Sequence, residues 1–197
     1  EENLKKWSEK RKGVAAVIVE PLGAESGAIP VPPDFNKKVR ELCDQYGALL
    51  IFDEVVTGFR LDLGGAQKYF GVKPDLTIFG KLLTQGYPSS GAVGGRADIM
   101  NATTSDIDVS SKHASASGTI RGNPLTVAAT YWGIKIMEET GTIEKAATAA
   151  DDLVKKLNDL FEQHERPYFA YNYKSIVHYE TFSPLAIDIR DMNNIPK

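Results

Sequence analysis

The stretch Ala48-Leu-Leu-Ile-Phe-Asp-Glu-Val-Val-Thr-Gly-Phe-Arg60 decides the fold. Five apolar residues, Ala48 to Phe52, run directly into two adjacent carboxylates, Asp53 and Glu54. A continuous apolar run of this length reads as a strand buried on both faces, the kind found in parallel sheets covered by helices. An acid at the end of such a strand is costly unless a cation or hydrogen-bond donors meet it. Either a structural partner such as Arg60 supplies the compensation, or a ligand does. Glu54 is expected to form a structural salt bridge.

Working outward, Val14-Ala-Ala-Val-Ile-Val-Glu20 is a second β-branched strand, ended by Pro21 and a Gly/Pro-rich loop. Between the two strands, Val39, Leu42, Cys43 and Tyr46 mark one face of a helix, with Asp34 as its N-cap and Gly47 as its stop. Residues 64–71 read as a short helix, and residues 75–80, Asp-Leu-Thr-Ile-Phe-Gly, as a third strand. Ser-Ser-Gly-Ala-Val-Gly-Gly (89–95) is a small-residue strand or turn, and 101–117 a polar loop. Asn123-Pro124 opens a long helix that Gly141 breaks. A second amphipathic helix follows, with Ile143, Ala146, Ala147, Ala150, Leu153, Leu157 and Phe161 on its apolar side. After Pro167 aromatic and β-branched alternation suggests strands of a different sheet, including residues 185–190. The expected domains are therefore 1–165 and 166–197.

Strand, helix, strand, short helix, strand is the α/β signature of a largely parallel sheet, in which ligands sit at the carboxyl ends of strands. Glu20, Asp53 and Lys81 occupy those ends. Asp53 and Lys81 could be an ion pair. Equally, a desolvated lysine offers a neutral amine for imine chemistry, and pyridoxal 5′-phosphate (PLP) needs both a lysine and a carboxylate partner for its ring nitrogen.

The 197 residues are 42% hydrophobic and 25% charged, with a formal net charge of −3. That balance gives no basic footprint for nucleic acid or a membrane surface. The longest apolar runs are too short to span a bilayer, and the opening residues carry no signal-peptide pattern. A single cysteine, Cys43, fits a reducing, cytoplasmic setting and reads as a packing residue. His113 lies in a polar loop, and His164 and His178 have no ligand-spaced partner, so no metal is expected.

Four ordered stretches, residues 19–27, 46–60, 64–96 and 117–129, resemble the class III (fold type I) PLP-dependent aminotransferases, and most nearly the glutamate-1-semialdehyde 2,1-aminomutase branch. The resemblance covers roughly residues 14–140. It implies a three-layer α/β large domain with the start of a small α+β C-terminal domain. It also implies amino-group transfer between a small-molecule amino donor and a keto or aldehyde acceptor, in a homodimer. By the same resemblance Asp53 pairs with the ring nitrogen, Lys81 forms the imine and carries the proton, and Val55 packs on the ring. Thr119 would bind the phosphate in the neighbouring subunit's site, with Gly118 and Gly122 allowing close backbone approach. Val56 stands where many ω-aminotransferases place glutamine, which favours the aminomutase branch. Glu25 aligns with a substrate-gating glutamate of ornithine-type enzymes, which points the other way, and Ser115 lies on the substrate side. Glu20 reads as a loop anchor beside Pro21. Measured against that family, the chain is expected to be a central fragment, and a catalytically incomplete, interaction-only piece is the competing expectation.

Overall fold

The computed structural model describes residues 1–10, 13–87, 91–103, 114 and 122–181. The polar helix α1 (Glu2–Lys10) leads into β1 (Ala16–Val19). Beyond β1 the loop folds back through a four-residue turn α2 (Ala24–Gly27) onto the two-residue β2 (Ile29–Pro30). Helix α3 (Phe35–Tyr46), strand β3 (Leu49–Glu54), helix α4 (Gly65–Phe70) and strand β4 (Leu76–Phe79) follow. The chain continues through a 3-10 turn (Lys81–Thr84) to β5 (Ala92–Gly95) and the short α5 (Ala97–Met100). Then come α6 (Pro124–Thr140), α7 (Thr142–Gln163) and the hairpin β6 (Phe169–Tyr173) and β7 (Ile176–Glu180).

The sheet has strand order β1-β3-β4-β5; β1, β3 and β4 run parallel and β5 closes the edge antiparallel to β4. This is the mostly parallel α/β sheet that the strand–helix alternation predicts. Its core lies on one side, where Leu50 and Phe52 of β3 meet Cys43, Ala48 and Val72, with Val17, Val19, Val39 and Phe70 packed around them. Cys43 is fully buried there, and burial pushes its thiol pKa up, as suits a packing residue. The other side departs from the expectation of a strand buried on both faces. Ile18 is 57% and Val93 52% exposed on it, because α3 and α4 both pack against the Leu50–Phe52 face.

Local signals fare differently. Gly47 and Gly141 end their helices in the left-handed conformation, as read. The helix expected from Asn123 begins there, and the Asn123 side chain caps it by accepting from the N–H groups of Leu125 and Thr126. Asp34 occupies the N-cap position of α3 but makes no cap bond. Its backbone (φ −93°, ψ 2°) turns the carboxylate toward Lys38, one turn along, at 2.5 Å.

The chain divides into two compact units, residues 1–141 and 142–197. Helix α7 belongs with the hairpin: the Asn158 side chain accepts from the Ala170 N–H at 2.7 Å and donates to its carbonyl at 2.9 Å. One side-chain amide thereby covers the free edge of β6 as a neighbouring strand would. The expected strand at 185–190 lies outside the described residues. Among those described, no helix is long and apolar enough to cross a membrane.

Candidate active site at the carboxyl ends of the strands

Strand register brings three of the expected groups to one edge of the sheet. Val19 is level with Phe52, and Asp53 with Ile78, so Glu20 and Asp53 leave adjacent strands side by side and Lys81 follows the end of the next. Asp53 shares the more open face with Ile51 and Ile78. Glu54, one residue on, points into the core side and is completely buried. The acid driven into the interior is therefore Glu54.

Asp53 is half-buried, and its Oδ1 accepts from the Val55 N–H at 3.1 Å. Among the described residues no basic side chain, Lys81 included, forms an ion pair with it. The reading of Asp53 and Lys81 as a structural ion pair is thereby set aside. Lys81 is exposed and starts the 3-10 turn with φ 46°, a left-handed conformation rare for a side chain of this size. Such strain persists only where the surroundings over-determine it. Here Leu83 N–H donates to Gly80 O at 3.0 Å, and the buried Thr84 hydroxyl donates to Tyr87 O at 2.9 Å. Helix α6 packs over this turn, with the buried Gly133 directly beneath Gln85.

Glu54 forms no salt bridge among the described residues, contrary to expectation. Its Oε2 accepts from Ala66 N–H at 2.5 Å and from the Thr57 hydroxyl at 3.2 Å; its Oε1 accepts from Gln67 N–H at 3.3 Å. Burial holds this carboxyl's pKa above its usual value, although those three donors offset part of the rise. A Cβ on Gly65 would overlap the carboxylate, and Gly65 itself has φ 69°. The turn is closed by Gly58 N–H donating to Glu54 O at 3.0 Å. Val55 and Val56, both half-buried, sit at the start of this turn. The clue to Glu54 was present in the sequence: strand alternation puts it in phase with Leu50 and Phe52, and a Gly64-Gly65 pair follows.

Glu20 anchors its loop, as expected, by accepting from Ser26 N–H at 3.0 Å. The loop holds Glu25 and Ser26 in successive left-handed conformations, with Glu25 exposed. Sequence reading missed Asp75. Burial alone would raise its pKa, but Leu50 N–H, Arg96 and Arg40 hold it at about 2. His113, Ser115, Gly118 and Thr119 lie outside the described residues. Among the described residues no three His, Cys, Asp or Glu side chains converge as a metal would require.

The family described as Aminotransferase class-III matches residues 1–169. The glutamate-1-semialdehyde 2,1-aminomutase of Desulfotalea psychrophila is 46% identical over 146 residues, 72% of this chain and 33% of that protein. That of Archaeoglobus fulgidus is 44% identical over 153 residues, 78% of this chain and 35% of that protein. The chain thus spans about a third of the length of these curated relatives. Among solved structures, an omega-transaminase from Sphaerobacter thermophilus superposes with TM-score 0.80 at 32% identity, covering 98% of this chain and 42% of that one. A β-phenylalanine aminotransferase from Variovorax paradoxus gives 0.78 at 32% identity, covering 98% and 43%.

Proposed function

Because this chain belongs to the class III aminotransferases, a PLP-dependent family, we propose that the protein transfers amino groups on PLP with Asp53 and Lys81 as its catalytic pair. The observation that carries this reading is the pairing state of those two residues. A carboxylate and a primary amine leave neighbouring parallel strands at the same edge, and neither is neutralised by a protein partner among the described residues. That donor set fits PLP, which supplies an aldehyde for an amine and a cationic ring that draws electrons from a substrate carbon.

In this reading the Asp53 carboxylate holds the ring nitrogen's positive charge, with its Oδ1 kept in place by the Val55 N–H. Lys81 Nζ takes the proton from the substrate carbon and returns it elsewhere, which an exposed side chain on a fixed backbone turn can do. Val55 and Val56 present apolar surface that keeps water from the ring. Gly118 and Thr119 would receive the phosphate, with Thr119 reaching a second subunit of a homodimer. Glu25 and Ser115 would face the small-molecule amino donor and the keto or aldehyde acceptor. A cytoplasmic setting accords with the single, buried Cys43.

A second reading is 2,1-aminomutase chemistry, in which the amino group returns to a different carbon of the same molecule. The 46% and 44% identities to aminomutases favour it, and so does apolar Val56. The full-length protein, mixed with PLP, is expected to develop a visible absorbance that borohydride fixes on Lys81 and that Lys81→Ala lacks. Absence of that chromophore in the unaltered protein would sink both readings. Turnover of the pyridoxamine-phosphate form with α-keto acids, compared with turnover of a lone amino-aldehyde, separates transferase from mutase.

A further inference from the structure

The loop after β3 joins two acids that face opposite ways. Asp53 lies on the open face; Glu54 is buried on the core face and, among the described residues, forms no salt bridge. What Glu54 does hold is the loop. Its carboxylate gathers the Thr57 hydroxyl and the N–H groups of Ala66 and Gln67, while its own carbonyl accepts from Gly58. Thr57 is 2% exposed, and its carbonyl accepts in turn from Arg60 and Leu61. Residues 54–58 are thus closed on Glu54 twice, through its buried carboxylate and through its backbone carbonyl. The Val55 N–H that fixes Asp53 Oδ1 lies inside that closed segment.

We propose that Glu54 and Thr57 are positioning residues for Asp53: their buried carboxylate–hydroxyl contact sets the turn that aims the Val55 N–H, and through it the Asp53 carboxylate, at the cofactor ring. This rests on the reading of Asp53 as the ring-nitrogen partner. The coupling is local and physical. A fully buried carboxylate cannot swing into solvent to relieve a lost partner, so removal of the hydroxyl is answered by movement of the turn itself. Small displacements of a catalytic group are amplified in binding and rate.

The test is a set of variants in the PLP-loaded full-length protein, read by cofactor affinity and by the absorption maximum of the bound cofactor. Thr57→Val removes the hydroxyl at nearly constant volume. It is expected to weaken PLP binding about tenfold, the worth of one hydrogen bond to a charged group, and to move the absorption maximum toward that of Asp53→Asn. Thr57→Ser restores the hydroxyl and is expected to keep PLP affinity within about threefold of the unaltered protein and to leave the absorption maximum where it is. Should Thr57→Val fail to fold, Thr57→Ala supplies the same comparison. If Thr57 only stabilises the fold, its Val variant unfolds at a lower temperature but keeps affinity and spectrum well below that temperature. That result overturns the proposal and leaves the function standing. If Asp53→Asn itself changes neither readout, the ring assignment falls and the proposal with it.

Discussion

At the scale of single residues, the site is shaped by where side chains are forbidden as much as by where they are placed. Gly65 has φ 69° and sits against the Glu54 carboxylate; Gly71, at the other end of the same helix, has φ 65° and nothing within 4 Å. The two positions separate backbone strain from steric conflict. Gly71→Ala carries only the left-handed penalty of about 1 kcal/mol. Gly65→Ala adds an overlap with a buried group that has no room to retreat, so its loss should reach about 3 kcal/mol. Equilibrium unfolding of the two variants checks this, and equal losses would show that Glu54 is free to move. Neither effect is legible in the pair Gly64-Gly65 alone. It takes the fold to bring residue 65 onto residue 54.

At the scale of elements, β3 and β4 were legible because a short run of leucine, β-branched and aromatic residues has few alternatives when Gly and Pro bound it. What ties them together was not. Asp75 opens β4 and looks like a strand-entry acid, yet it accepts from Leu50 N–H on β3 at 2.8 Å, from Arg40 on α3 at 2.7 Å and from Arg96 after β5 at 2.8 Å. Three sequence-distant elements meet on one carboxylate, a convergence no local pattern encodes. The Asp34 cap failed for a related reason, since Lys38 one turn away offers its carboxylate a competing charge. Asp75 gives a pH signature with a definite sign. Its folded pKa of about 2 lies below the usual 3.8, so its contribution is present above pH 3.8 and is lost as pH falls toward 2. The lowered pKa is worth about 2 kcal/mol. Acid unfolding should therefore be shallower in Asp75→Asn, which has already lost the contribution at neutral pH. Identical acid slopes would mean the carboxylate gains nothing from its partners.

At the scale of the whole molecule, the catalytic edge was readable because it follows from strand order, and the uncovered surfaces were not because they depend on what packs against them. Helix α6 shows this. Thr126, Gly133 and Met137 are its buried side, yet Leu125 (60% exposed), Trp132 (56%) and Ile136 (52%) form one outward stripe, and Val127 and Tyr131 another. A helix apolar on nearly every side belongs in an interior. The sheet face bearing Ile18 and Val93 makes the same demand. Curated relatives more than twice the length of this chain have the material to meet it. Contiguous apolar surface of this kind draws hydrophobic ligands and other chains. The 197-residue chain prepared by itself is therefore expected to bind a hydrophobic dye strongly. Replacing Leu125, Trp132 and Ile136 together by serine should remove much of that binding without lowering the unfolding temperature, because none of the three is buried. Two results would count against the argument. Dye binding no greater than that of an ordinary globular protein would mean the stripe is already covered in the isolated chain. A triple variant that no longer unfolds cooperatively would mean α6 uses this side to pack within it.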